Sequence, residues 1–149
     1  MLEIKTVKSE KELKKLFNIL SEIFYDDAIE NKEHYYTMSE RYEEMKLQFK
    51  NDKNFLMYIE DSNKIVAGLT GKNLDLKKKK ITIGVLAVKK EYRMNGLATK
   101  LVNEFENRCK KKKIQHIDLG ARFRACNLYK NLNYNYSLMK QNLRTLENA

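Results

Sequence analysis

The feature that most constrains this chain is the passage from Val85 to Leu101. An apolar strand ending at Val88 meets a short basic turn, Lys89-Lys90-Glu91-Tyr92-Arg93-Met94-Asn95-Gly96, and an amphipathic helix opens at once with Leu97-Ala98-Thr99. The first turn of a helix carries unpaired N–H donors and the positive end of the macrodipole, so it receives phosphate well. Gly96 lets the main chain approach a ligand with no Cβ in the way. The passage predicts a phosphorylated ligand. An ordinary strand–turn–helix without one has the same outline. Two other nucleotide loops are excluded: Gly71-Lys72-Asn73 lacks the Ser/Thr of a Walker loop, and a single glycine cannot make a dinucleotide fingerprint.

The rest of the chain reads as alternating strands and helices. Leu2, Ile4 and Val7 predict an opening strand, and Ser9-Glu10-Lys11-Glu12 is a capping box. Leu13, Leu16, Phe17, Leu20, Ile23 and Phe24 follow at helical spacing. Met38, Tyr42, Met45 and Phe49 mark a second helix. Phe55–Glu60 and Ile65–Lys72 predict a hairpin about Asp61-Ser62-Asn63-Lys64. In Ile81–Val88 the apolar parity changes beside Gly84, which predicts a β-bulge or a strand buried on both faces. Leu97, Leu101, Phe105 and Cys109 make a third helix, and Ile114–Leu119 a strand parallel to the one before it. Ala125, Leu128, Tyr129 and Leu132 predict a fourth helix, Tyr134–Met139 a strand, and Leu143–Leu146 a last short one.

With 149 residues, 42% of them hydrophobic and 34% charged, the chain fits one soluble domain over residues 1–149. The run Val85–Val88 is far too short to span a bilayer, and Met1-Leu2-Glu3-Ile4-Lys5 lacks the apolar core of a signal peptide, so a cytoplasmic location is expected. Cys109 and Cys126 have no metal-ligand spacing and read as reduced thiols; no metal is expected. The net charge of +10 raises nucleic-acid binding. Yet Lys77–Lys80 reads as a hairpin tip and Lys110–Lys113 as a helix C-terminus, and no zinc-finger or basic-aromatic motif accompanies them. A solvated lysine surface that helps to draw in an anionic ligand accounts for the charge.

The spacing Arg-x-x-Gly-x-Ala from Arg93 to Ala98 resembles the coenzyme A pyrophosphate loop of the GCN5-related N-acetyltransferases, the GNAT family. A second segment, Ala125-Cys126-Asn127-Leu128-Tyr129-Lys130-Asn131-Leu132-Asn133-Tyr134, resembles that family's Ala-x-x-Leu-Tyr-x-x-Leu-Gly-Phe and lies in the expected order. Asn133 replaces the glycine, a mild change because Asn tolerates the left-handed conformation. Arg122 stands where many members have Asn; it either meets a cofactor phosphate or caps a strand end. The resemblance implies a mixed α/β fold: a central sheet of six to seven strands with about four helices on its faces.

It also implies a cofactor, acetyl-CoA, and a reaction in which an acceptor amine attacks the thioester carbonyl directly. The pantetheine arm is expected along Leu86, Ala87 and Val88, and the pyrophosphate on Arg93, Met94, Asn95, Gly96, Leu97, Ala98 and Thr99. Lys89, Lys90 and Lys100 are expected to add positive charge. A main-chain N–H near Leu86 is the expected donor to the carbonyl oxygen, and Tyr129 the expected general acid. The strand Ile81–Val88 has no carboxylate to act as base; Glu22, Asp26, Asp27, Glu60 and Asp118 stay open for that role. Tyr25, Asp26 and Asp27, within an acidic and aromatic stretch that runs on through Glu33, His34, Tyr35 and Tyr36, are the expected acceptor contacts. The acceptor is then a cationic small-molecule or peptide amine. A non-catalytic acyl-CoA-binding domain is the alternative, and a homodimer stays open. No nucleic acid and no membrane partner is expected.

Overall fold

A computed structural model describes residues 2–32, 38–120, 135–136 and 141–145. Strand β1 (Glu3–Thr6) leads into helices α1 (Glu10–Glu30) and α2 (Ser39–Asn51). Strands β2 (Leu56–Asp61), β3 (Lys64–Asp75) and β4 (Lys80–Val88) form a meander, followed by α3 (Leu97–Lys111) and β5 (His116–Gly120). Short strands β6 (Asn135–Tyr136) and β7 (Gln141–Thr145) complete a seven-stranded sheet of order β1-β2-β3-β4-β5-β7-β6. Only the β4–β5 pair is parallel, as a right-sized crossover through α3 requires. The mixed sheet and its strand number match expectation. Three α-helices are present among the described residues, and the expected fourth, around Ala125–Leu132, lies outside them.

Local chemistry explains the boundaries. Ser9 is extended, and its hydroxyl accepts from the Glu12 amide, while Glu12 accepts in turn from the Lys8 amide. Ser62 and Asn63 both take positive φ, the two-residue turn whose twist suits a hairpin, and so pair Asp61 with Lys64. Helix α1 outlasts its apolar stripe and carries Tyr25, Asp26, Asp27 and Glu30 on its last turns.

The sheet separates two apolar layers. On one side α3 packs Leu97, Leu101, Val102, Phe105 and Cys109 over β2, β3 and β5. On the other, α1 and α2 pack Leu13, Leu16, Leu20, Ile23 and Met45 over Leu56 and Tyr58. Strand β4 changes sides between them. Ile81 and Ile83 face α3, whereas Val85 and Ala87 face α1. The register with β3 slips there, Thr70 opposing Val85 and Gly71 opposing Ile83, so Gly84 is the extra residue of a bulge. A Cβ on Gly84 would stand 3.2 Å from the buried Thr70 hydroxyl, which is why the bulge takes glycine.

Phe105 is fully buried and meets Phe55 edge-on at 5.5 Å between ring centroids. Phe105→Ala is therefore expected to lower the unfolding free energy by about 3–5 kcal/mol in urea titrations; a loss below about 1 kcal/mol would contradict the packing. Burial pushes the Cys109 thiol up to about 12, so the native chain holds that proton more tightly than the unfolded one. Its contribution to stability is complete below the ordinary thiol pKa and falls as pH rises past it. In a Cys126→Ala background, iodoacetamide at pH 8 is expected to leave Cys109 unmodified until denaturant unfolds the chain. Rapid native labelling would refute this.

Candidate functional site

The site begins past the end of the β4–β5 ladder. Their parallel ladder runs from Lys80 opposite His116 to Ile83 opposite Leu119, and β4 continues to Val88 beyond it. Over that extension β4 stays paired with β3, Leu86 opposite Leu69 and Val88 opposite Ala67. The bulge at Gly84 follows directly on the last paired residue, Ile83. A strand edge that continues past its ladder can offer main-chain donors and acceptors to an extended ligand.

Past Val88 the chain makes a single 3₁₀ turn, Lys90–Tyr92, and reaches α3 through Arg93, Met94, Asn95 and Gly96. Met94 and Gly96 both adopt the left-handed conformation, with φ of 67° and 75°. That geometry costs an L-residue about 1–2 kcal/mol, and the Met94 side chain is wholly exposed, so packing of its side chain does not offset it. The loop is held by others. The Lys89 amide donates to the Val66 carbonyl at 2.9 Å, and the Asn95 side-chain amide to the carbonyls of Tyr92 and Arg93. The Tyr92 hydroxyl donates to Asp61 at 2.6 Å, which raises the phenol pKa.

Gly96 caps α3 without a side-chain hydrogen bond, and the first intrahelical bond comes from the Lys100 amide to the Gly96 carbonyl. The amides of Leu97, Ala98 and Thr99 therefore precede the helical ladder. A cavity of about 230 Å³ opens over them, lined by Val88, Tyr92, Arg93, Met94, Gly96, Leu97, Ala98 and Thr99. Nothing lies within 4 Å of the place a Cβ on Gly96 would occupy. The structure thus brings together six of the residues expected at an anion, Arg93, Met94, Gly96, Leu97, Ala98 and Thr99, around an open space faced by a helix N-terminus.

The charged side chains are arranged differently from expectation. Arg93 turns to α1, where its Nη2 meets Asp27 Oδ1 at 2.7 Å, and its Nε donates to the Val88 carbonyl. Lys90 pairs with Glu30, and Lys100 donates to the Leu2 carbonyl. A second cavity, also about 230 Å³, lies between α1 and the turn and is lined by Glu22, Asp26, Asp27, Glu30, Lys89 and Arg93 among others. Tyr25 is 49% exposed on the same helix. Of the carboxylates left open as bases, Glu60 is paired with Lys5 at 2.7 Å. Tyr129, Arg122, His34, Tyr35 and Tyr36 lie outside the described residues. The ties from Asp61 and Asp27 to the loop had no local signal in the sequence, because they join residues 31 and 66 positions apart. Among the described residues no cluster suits a metal ion, and no helix is long and apolar enough to cross a membrane.

Comparisons with known proteins bear on this geometry. An acetyltransferase of the GNAT family from Staphylococcus aureus Mu50 superposes with a TM-score of 0.79 at 16% identity, over 99% of this chain and 100% of that one. The PaiA N-acetyltransferase of Thermoplasma acidophilum, solved in complex with coenzyme A, gives 0.76 at 15% identity, over 98% and 99%. The ribosomal-protein-S18-alanine N-acetyltransferase of Escherichia coli gives 0.66 at 15%, over 98% and 93%. No curated protein sequence matches the chain significantly. The family model described as "Acetyltransferase (GNAT) family" matches residues 13–134, which run from within α1 through β5 and include the whole loop from Lys89 to Gly96. This chain is a member of the GNAT acetyltransferase family.

Proposed function

We propose that the chain transfers an acetyl group from acetyl-CoA to a primary amine of a small molecule or peptide within a ternary complex. One observation carries the reading: the left-handed Met94–Gly96 turn directs an uncapped helix N-terminus into an open cavity at the end of a bulged strand. The residues present fit a diphosphate joined to a strand-like arm. Amides from Met94 to Thr99 would hold the diphosphate, and main-chain groups of Leu86, Ala87 and Val88 would pair with the arm. Acetyl-CoA, when bound, supplies an activated thioester carbonyl.

The chain's own groups would supply what acyl transfer demands. An N–H near Leu86 donates to the carbonyl oxygen as charge develops on it, a role typically worth about 3 kcal/mol. Tyr129 gives its proton to the departing sulfur. The amine would enter from the α1 side past Tyr25 and Asp26, whose ring and carboxylate suit a cationic acceptor, and would lose a proton to water before attack. A non-catalytic acyl-CoA-binding role has one observation in its favour, the lack of any carboxylate on β4. Thiol release from acetyl-CoA across a panel of primary amines separates the two readings: turnover with at least one amine supports the transferase, and none at all supports the binder.

Saturating CoA at one hundred times its Kd is expected to raise the melting temperature by about 5–10 °C, from about 2.7 kcal/mol of linkage. Absence of both heat and stabilisation at millimolar CoA would refute the cofactor assignment. Gly96→Ala places a methyl group in the open space above the loop. It is expected to cost about 1–2 kcal/mol of stability through its positive φ and to weaken CoA binding about tenfold or more. A Kd within about twofold of wild type would move the diphosphate elsewhere.

A further inference from the structure

Arg93 stands three residues before Gly96, and its guanidinium reaches two elements at once. Nε donates to the carbonyl of Val88, the last residue of β4, at 2.9 Å, and Nη2 to Asp27 Oδ1, in the last turn of α1, at 2.7 Å. The side chains are 36% and 15% exposed. A charge-assisted hydrogen bond to a largely buried carboxylate, with the guanidinium tied to a second partner, holds better than an exposed pair such as Lys90–Glu30. We propose that Asp27, acting through Arg93, is a positioning residue for the cofactor loop. It fixes the start of the turn between the end of β4 and α1, and so keeps the amides of residues 94–99 converged before a diphosphate arrives. The inference rests on the acyl-CoA reading above.

Three roles for this pair give three different results. If Arg93 acts only as a positive charge toward phosphate, Asp27→Asn frees that charge and CoA binds more tightly, most of all at low salt. If Asp27 contacts the acceptor, CoA affinity stays constant and the acceptor KM rises. If the pair positions the loop, CoA binds more weakly, because the loop must then be ordered on binding. Calorimetric titration of CoA into the full chain distinguishes them, with wild type, Asp27→Asn, Arg93→Lys and the double variant at two salt concentrations.

Each single variant is expected to weaken CoA about tenfold, and the double to be no more than about twofold worse than the weaker single, because both remove one shared contact. Arg93→Lys belongs in the set because an ammonium keeps the charge and loses the fork. Amide exchange at residues 94–99 of the free protein is expected to accelerate in Asp27→Asn, with β2 and the interior of α3 unchanged. A Kd for Asp27→Asn that is tighter or within about twofold of wild type, or single effects that multiply in the double, would overturn the proposal. A wild-type chain that fails to bind CoA would instead defeat the acyl-CoA reading, and the exchange measurement would still decide whether Asp27 holds the loop.

Discussion

The extra residue at Gly84 organises everything downstream of it. A strand without a bulge would send Val85 and Ala87 to the same side as Ile81 and Ile83, and α1 would lose the apolar surface it covers. Because one residue is added, β4 serves α3 with its first half and α1 with part of its second. The same insertion lies just past Ile83, the last β4 residue paired with β5, and a bulge increases the local twist of its strand. One feature therefore lets a single strand be buried on both faces, and the same slip in register stands at the start of the segment that leads into the site loop.

The loop that follows shows how a costly conformation is kept. Met94 in the left-handed region is unfavourable and gains nothing from its exposed side chain. What offsets it lies around the loop: Asp61 on β2 through Tyr92, Val66 on β3 through the Lys89 amide, and Asp27 on α1 through Arg93. Three separate elements thus anchor one turn from three directions. A segment fixed in this way presents its N–H groups already ordered, and a ligand that uses them loses less freedom on arrival.

What was legible in the sequence had a short-range cause. The Ser9 cap, whose Glu12 partner accepts from the Lys8 amide, the Ser62-Asn63 turn, the parity change that proves to be a bulge at Gly84 and the glycine before α3 each act within a few residues. Strand ends moved by a few residues, as with β3 running to Asp75, since hairpin pairing outlasts the apolar pattern. Helix α1 ran on to Glu30 for a similar reason: backbone hydrogen bonds continue the helix after its buried stripe has thinned. The partners of Arg93 and Tyr92 were not legible. A basic residue beside a glycine loop reads as a phosphate contact, and only the folded chain shows that α1 comes close enough to claim it.

That rearrangement changes what the acidic end of α1 is for. Of its carboxylates, Asp27 is matched by Arg93 and Glu30 by Lys90, so the cluster is much less negative than its composition. Glu22 and Asp26 line the cavity together with Lys89. In a chain of net charge +10, unpaired arginine and lysine beside a phosphate-type loop would repel one another and splay the turn. Carboxylates on the neighbouring helix remove that repulsion while leaving the backbone donors of α3 uncovered. The positive potential at the loop then comes mainly from oriented amides, which cannot swing away, and less from long side chains that can.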